Sequence, residues 1–226
     1  MRLSTAEKFI LIAQHPDKGR FILSDLHVNY GIIGAILLEM SIENKVIIEN
    51  DCVILKNIEN NDNQFISEIS VMISNSKKPR KIKYWLTKLS GKSRRYKWII
   101  LNDLVNKKII RIENKLFLGF VPYKRSYLID NITRDNLIQG IRSNVLFHKE
   151  LTNENVVLLG LIEACKMHKI ITSDKDELKK LKGELKIIIK ESPIADTVDK
   201  TIKQVQAAII GAIVASTVAS SAGASH

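Results

Sequence analysis

The chain has 226 residues, a formal net charge of +11, and 45% apolar but only 6% aromatic side chains. That length supports a real core, as one domain or at most two small ones, and the apolar share excludes a disordered chain. A core so poor in aromatics must be built from Ile, Leu and Val, which suits packed helices with a few short strands. The surplus of cations points toward polyanions: nucleic acid, anionic lipid headgroups or an acidic partner.

In chain order, Ser4 and Glu7 form a capping box for a helix over residues 5–14, which Pro16 and Gly19 break. A second helix is expected over 28–43. Leu37, Leu38 and Met40 lie on its apolar side, and Gly31, Gly34 and Ala35 permit close helix contacts. Residues 46–55 hold two β-rich runs around Asn50-Asp51, a hairpin signature. An Asn-rich acidic loop follows over 57–63, then a helix over 64–74 and a basic break over 75–81, Asn-Ser-Lys-Lys-Pro-Arg-Lys. A short helix over 82–89 ends at Ser90-Gly91. A further helix over 95–107 leads into a second hairpin across 109–120, with its turn expected at Glu113-Asn114.

The remainder reads as helices over 134–147, 154–169 (capped by Thr152 or Asn153), 174–191 (Ser173 and Asp176 as a box) and 196–218, with Pro193 separating the last two. Residues 207–224 carry no charge and approach the length of a membrane span. Their second half is mostly Ala, Ser, Thr and Gly, so they read as a buried bundle helix with a loose tail over 219–226 rather than an anchor. No signal peptide opens the chain, because only residues 9–13 are apolar between Lys8 and Gln14. No composition shift marks a boundary, and a single domain over 1–226 is expected. The fold class is therefore mainly α, a helical bundle with two short β-hairpins.

Enzyme signatures are absent. The string Ser90-Gly91-Lys92-Ser93 imitates the end of a P-loop, but Leu86 stands where the motif needs glycine. The five histidines are scattered, and nothing argues for catalysis, a metal or a cofactor. Cys52 and Cys165 lie far apart in apolar runs, which fits a reducing cytoplasmic setting and core roles. The cluster Lys88, Lys92, Arg94, Arg95 and Lys97 is different. Cations crowded at a helix N-terminus oppose the dipole there, and a bound anion would relieve them. The alternative reading of that cluster is a solvated charged surface.

An internal echo also appears: residues 37–55 and 101–119 share an amphipathic helix, a polar corner and a two-stranded wing. Such units occur in winged-helix DNA-binding proteins, the runner-up reading, in which Arg94, Arg95 and Lys97 contact phosphates. Against it, the helical segments 30–40 and 98–105 offer few side chains able to read base edges.

Residues 3–12 with Asp17-Lys-Gly-Arg20, residues 31–40 with Asn44-Lys-Val46, the Trp85-Leu-Thr-Lys-Leu-Ser-Gly91 element, and Leu104-Val-Asn-Lys-Lys-Ile-Ile110 before a hairpin together resemble the Golgi phosphoprotein 3 family. The Ala-rich C-terminal helix fits its bacterial members. The resemblance spans nearly the whole chain. It implies a helical bundle ringed by amphipathic helices and loops, without catalysis, peripheral on the cytosolic face of a membrane. Eukaryotic members bind phosphatidylinositol 4-phosphate and hold the cytosolic tails of glycosyltransferases. Carried over, two basic headgroup ligands fall on Arg94 and Lys97, with Arg95 and Lys92 beside them. The family's Trp and Arg near the second helix fall on Ser24 and Ile33, which removes a membrane-inserting ring and a cation. Attraction to anionic headgroups is thus expected without a full phosphoinositide pocket. The resemblance also implies homo-oligomer contacts through the second hairpin, where Ile109, Ile110, Leu116, Phe117, Leu118 and Phe120 form an apolar wing.

Overall fold

Ser4 and Glu7 open α1 (Thr5–Ala13) as a reciprocal box: the Glu7 N–H donates to Ser4 Oγ at 3.1 Å and the Ser4 N–H to Glu7 Oε2 at 2.8 Å. The computed structural model describes residues 2–56, 64–149, 151–191 and 196–222. The helix α2 (Asp25–Ile42) begins three residues earlier than the apolar pattern indicates, because Ser24 caps it. Its apolar side chains point in every direction, and Val28, Ile32, Ile33, Ile36, Leu37, Leu38 and Met40 are buried, while Leu26, Tyr30 and Ile42 near its ends are partly so. A helix apolar on all sides belongs at the centre of a fold. Gly31 makes the approach of α1 feasible, since a Cβ there would lie 2.0 Å from Phe9 Cζ.

Asn50 and Asp51, both in the left-handed region at φ 48° and 62°, turn the chain from β1 (Val46–Glu49) to β2 (Cys52–Leu55). The Asn-rich loop expected over 57–63 lies outside the described residues. Beyond it comes α3 (Gln64–Ser74), with the bounds the sequence indicates. The basic break is not wholly irregular. Its last two residues form β3 (Arg80–Lys81), which pairs with β2 and makes a three-stranded sheet of order β1-β2-β3. Then follow α4 (Ile82–Ser90) and α5 (Ser93–Asn106).

The second hairpin is longer than expected, and its turn lies elsewhere. Its strands are β4 (Ile110–Phe117) and β5 (Val121–Leu128). Glu113 and Asn114 sit in mid-strand opposite Arg125 and Lys124. The turn is made by Leu118 and Gly119, at φ 52° and 81°, with the Phe120 N–H donating to the Phe117 carbonyl at 3.3 Å. Pairing along eight residues outweighs the local turn preference of an Asn.

The C-terminal half is helical: α6 (Asn131–Phe147), α7 (Asn153–Ala164), α8 (His168–Ile171), α9 (Lys175–Glu191) and α10 (Asp196–Ala222). The helix expected over 154–169 is two helices, because Lys166 takes a left-handed conformation. Around it the Lys166 N–H donates to the Glu163 carbonyl and the Met167 N–H to that of Ile162, which ends α7 in a Schellman cap. Asp174 rather than Ser173 caps α9, accepting the Glu177 N–H at 2.7 Å. The last helix continues through the start of the expected tail to Ala222, and residues 223–226 lie outside the described residues, as does Pro193. Packed around α2 are α1, α4, α5, α7 and α10. The fold is mainly α, with two small antiparallel sheets on the helical bundle.

Candidate anion-binding cleft

The helices α4 and α5 are nearly continuous. Lys92 donates its N–H to the Leu89 carbonyl at 2.8 Å, Tyr96 donates to Lys92 at 3.1 Å, and no side chain caps α5. Helical periodicity then divides the four candidate cations into two pairs, each three residues apart. Lys92 and Arg95 meet Glu68 of α3, Nζ to Oε1 at 2.6 Å and Nη1 to Oε2 at 2.9 Å. The hydrogen bond from Lys92, reinforced by both positive charges, holds the Glu68 carboxyl below its ordinary range. Arg94 and Lys97 instead line a cleft of about 740 Å³ between α5, the first turns of α2 and the second hairpin.

Asp25 and Asn29 of α2, Trp98 of α5, and Asn114, Tyr123 and Lys124 of the hairpin share that cleft. A smaller adjoining hollow of about 290 Å³ shares Asp25, Lys97, Trp98 and Lys124 and adds Arg20 and Arg125. Five cations therefore border these two spaces, and Asp25 is the only carboxylate among the lining residues. Lys97 Nζ stands 5.7 Å from the centre of the Phe21 ring, and Lys124 Nζ 5.8 Å from that of Trp98. Burial pushes the Lys97 ammonium below its ordinary range, with Arg94 adding repulsion and Asp25 partly offsetting it. An anion held between Arg94, Lys97 and Lys124 would reverse that balance, and Arg can grip phosphate oxygens bidentately.

Ser24 and Ile33 contribute no binding side chain to the cleft. Ser24 is occupied as the α2 cap, with Oγ 2.8 Å from His27 Nδ1, and Ile33 is fully buried in the core. The apolar wing also divides. Ile109 and Ile110 are core residues at the hairpin root, each 1% exposed, which corrects the expectation that they share a surface with the tip. Leu116, Phe117, Leu118 and Phe120 do lie at the tip, 60–73% exposed. Trp85 and Tyr96 are core, as is Cys165, whereas Trp98 is half-buried and faces the cleft.

Sequence reasoning missed Lys124, Arg125 and Arg20. Lys124 and Arg125 are an adjacent pair between Tyr123 and Tyr127, and only the packing of the second hairpin against α5 brings them to the cleft beside Arg20. Both helix-plus-wing units exist, α2 with β1–β2 and α5 with β4–β5. The first cannot enter a nucleic-acid groove, because α2 is buried continuously over residues 31–38 beneath the surrounding helices. Among the described residues, no group of three His, Cys, Asp or Glu side chains is placed to hold a metal. Among the same residues, no helix is long and apolar enough to cross a membrane.

Fold and surface together define a mainly α protein with a cationic cleft, lined by Arg94, Lys97 and Lys124, between its helical bundle and its second hairpin. A family model for Golgi phosphoprotein 3 (GPP34) matches residues 5–205, and the chain belongs to that family. The family consists of non-enzymatic adaptors associated with the Golgi. Comparison with curated proteins finds no match.

Proposed function

We propose that this protein is a non-catalytic peripheral membrane adaptor that docks on anionic lipid headgroups at the cytosolic face of a membrane. The carrying observation is the convergence of Arg94, Lys97 and Lys124 on one cleft beside an exposed apolar hairpin tip. Net positive charge draws the chain to an anionic surface, where each nearby Lys or Arg contributes about 1 kcal/mol. A headgroup phosphate then enters the cleft between Arg94 and Lys97, with Trp98 and Tyr123 flanking it. The tip residues Leu116, Phe117, Leu118 and Phe120 enter the interfacial layer, removing apolar surface from water. Neither contribution alone gives firm attachment, and the two together make docking reversible. The cytosolic tails of membrane proteins are the cargo that such an adaptor would hold.

Co-sedimentation with vesicles tests this reading. Binding to phosphatidylglycerol-containing vesicles is expected to be salt-sensitive, and neutral vesicles should bind poorly. Arg94→Glu with Lys97→Glu should lower binding about tenfold or more, for two reversed cations at the contact. The same reversal at Lys92 and Arg95, or at exposed Lys179 and Lys180, should cost much less. Equal losses in all three double variants would show that bulk charge suffices and that the cleft has no special role. Tighter binding to duplex DNA than to vesicles would favour the nucleic-acid reading.

A further inference from the structure

The membrane reading leaves the basic break at residues 75–81 unused. It borders a second, open groove of about 740 Å³, formed where β3 and β2 meet the outer face of α4. No residue lining it lines the headgroup cleft. Lys78, Arg80, Lys81, Lys83 and Lys88 surround the groove, and no carboxylate is among its lining residues. Lys81 has a loose ion pair with Asp51 at 3.6 Å. The other four make no ion pair among the described residues. Arg80 Nε is shielded from solvent and finds no acceptor.

Between the cations the lining is apolar or weakly polar: Cys52, Pro79, Tyr84 and Thr87. The Tyr84 ring is 37% exposed and stands between two cations, with Arg80 Cζ 4.7 Å and Lys88 Nζ 5.6 Å from its centre. One wall is β3, the edge strand of its sheet, and an edge presents backbone groups to which an extended chain can pair.

We infer that this groove binds an extended acidic peptide segment in which carboxylates alternate with aliphatic or aromatic side chains. The period of two in an extended chain fits the groove's two chemistries: apolar side chains reach Pro79 and Tyr84, and the intervening carboxylates meet the rim cations. The edge strand favours a peptide over a lipid, which has no backbone to pair. A single strand of nucleic acid ordinarily stacks successive bases on several aromatic rings, and the groove exposes a single one, that of Tyr84. The inference does not depend on the membrane reading, since the two surfaces share no lining residue.

The test is fluorescence anisotropy of the full chain with a fluorescein-labelled peptide of alternating Glu and Leu carrying one central Phe. Lys78→Glu with Arg80→Glu and Lys83→Glu should weaken binding about tenfold or more, as truncation or reversal of paired charges does at interfaces. Arg94→Glu with Lys97→Glu should leave it within about twofold, because the other cleft makes no contact and only long-range steering changes. Tyr84→Ser, which keeps every charge, should weaken the Phe-bearing peptide but not one with Ser in place of Leu and Phe. Retained affinity in the triple variant, equal losses in both charge-reversed variants, or no effect of Tyr84→Ser would each overturn the proposal. So would displacement of the peptide by phosphatidylglycerol vesicles or by an oligonucleotide at lower concentration than by unlabelled peptide. A smaller loss of vesicle binding in the triple variant than in Arg94→Glu with Lys97→Glu, despite its larger change of net charge, would keep the two surfaces distinct.

Discussion

Glu39 lies on the central helix among side chains that offer it little help. Its Oε1 accepts the Thr5 N–H at 3.3 Å, and its Oε2 has no partner. Burial, with Glu43, Glu7 and Glu154 nearby, pushes its carboxyl from an ordinary 4.5 up to about 7, although the Thr5 N–H pulls the other way. A raised carboxyl keeps its proton in the folded state at pH values where the unfolded chain has released it. Stability therefore falls as pH rises from 4.5 to about 7 and stays lower above that window. At about 1.4 kcal/mol per pH unit, the loss is about 3 kcal/mol. Glu39→Gln removes the titration while keeping the shape and the acceptor for Thr5. In thermal melts followed by circular dichroism, the variant and the parent should differ by no more than about 1 kcal/mol at pH 5. At pH 8 the variant should melt about 6 to 12 °C higher for a chain of this size. An equal difference at both pH values, or no gain at pH 8, would refute the reasoning.

Gly31→Ala places a methyl group inside the Phe9 ring and should cost about 3 kcal/mol or more in urea denaturation, because α1 cannot back away from a packed core. Gly140→Ala, where a Cβ meets open space on α6, should instead stabilise by about 0.5 to 1 kcal/mol. Phe117→Ser with Leu118→Ser should lower vesicle binding severalfold and, through loss of the homo-oligomer contacts expected of the hairpin, yield a folded monomer in light scattering. A fall in mass on that substitution would assign the tip to self-association.

Where local chemistry settles local structure, the sequence could be read closely. Ser4 with Glu7, the Asn50-Asp51 turn and the limits of α3 belong to this group, since each depends on residues a few positions apart. The departures share a different cause. Lys108 and Lys166 end helices in left-handed conformations that glycine ordinarily signals, and Leu118 takes the same conformation in the turn beside Gly119. In the second hairpin, Asn114 advertised a turn that eight-residue pairing overrode. The strand β3 exists only because β2 lies beside it, and nothing in Arg80-Lys81 declares it. The site was legible in the same partial way. Arg94 and Lys97 stand out as part of a cationic cluster, but the cluster's division depends on Glu68, which is remote in sequence. Lys124, Arg125 and Arg20 arrive through tertiary packing alone.

Leu118 occupies a backbone conformation that Gly or Asn would adopt at less cost, by about 1 kcal/mol, and its side chain is 73% exposed at the hairpin tip. The folded monomer thus gains nothing from a leucine there and would be more stable without it. On the membrane reading proposed above, the interfacial layer would supply the compensation that neither its own backbone nor the surrounding water gives this residue. On that reading the tip is a place where foldability and attachment pull in opposite directions, and a variant selected for thermal stability alone should bind vesicles less well.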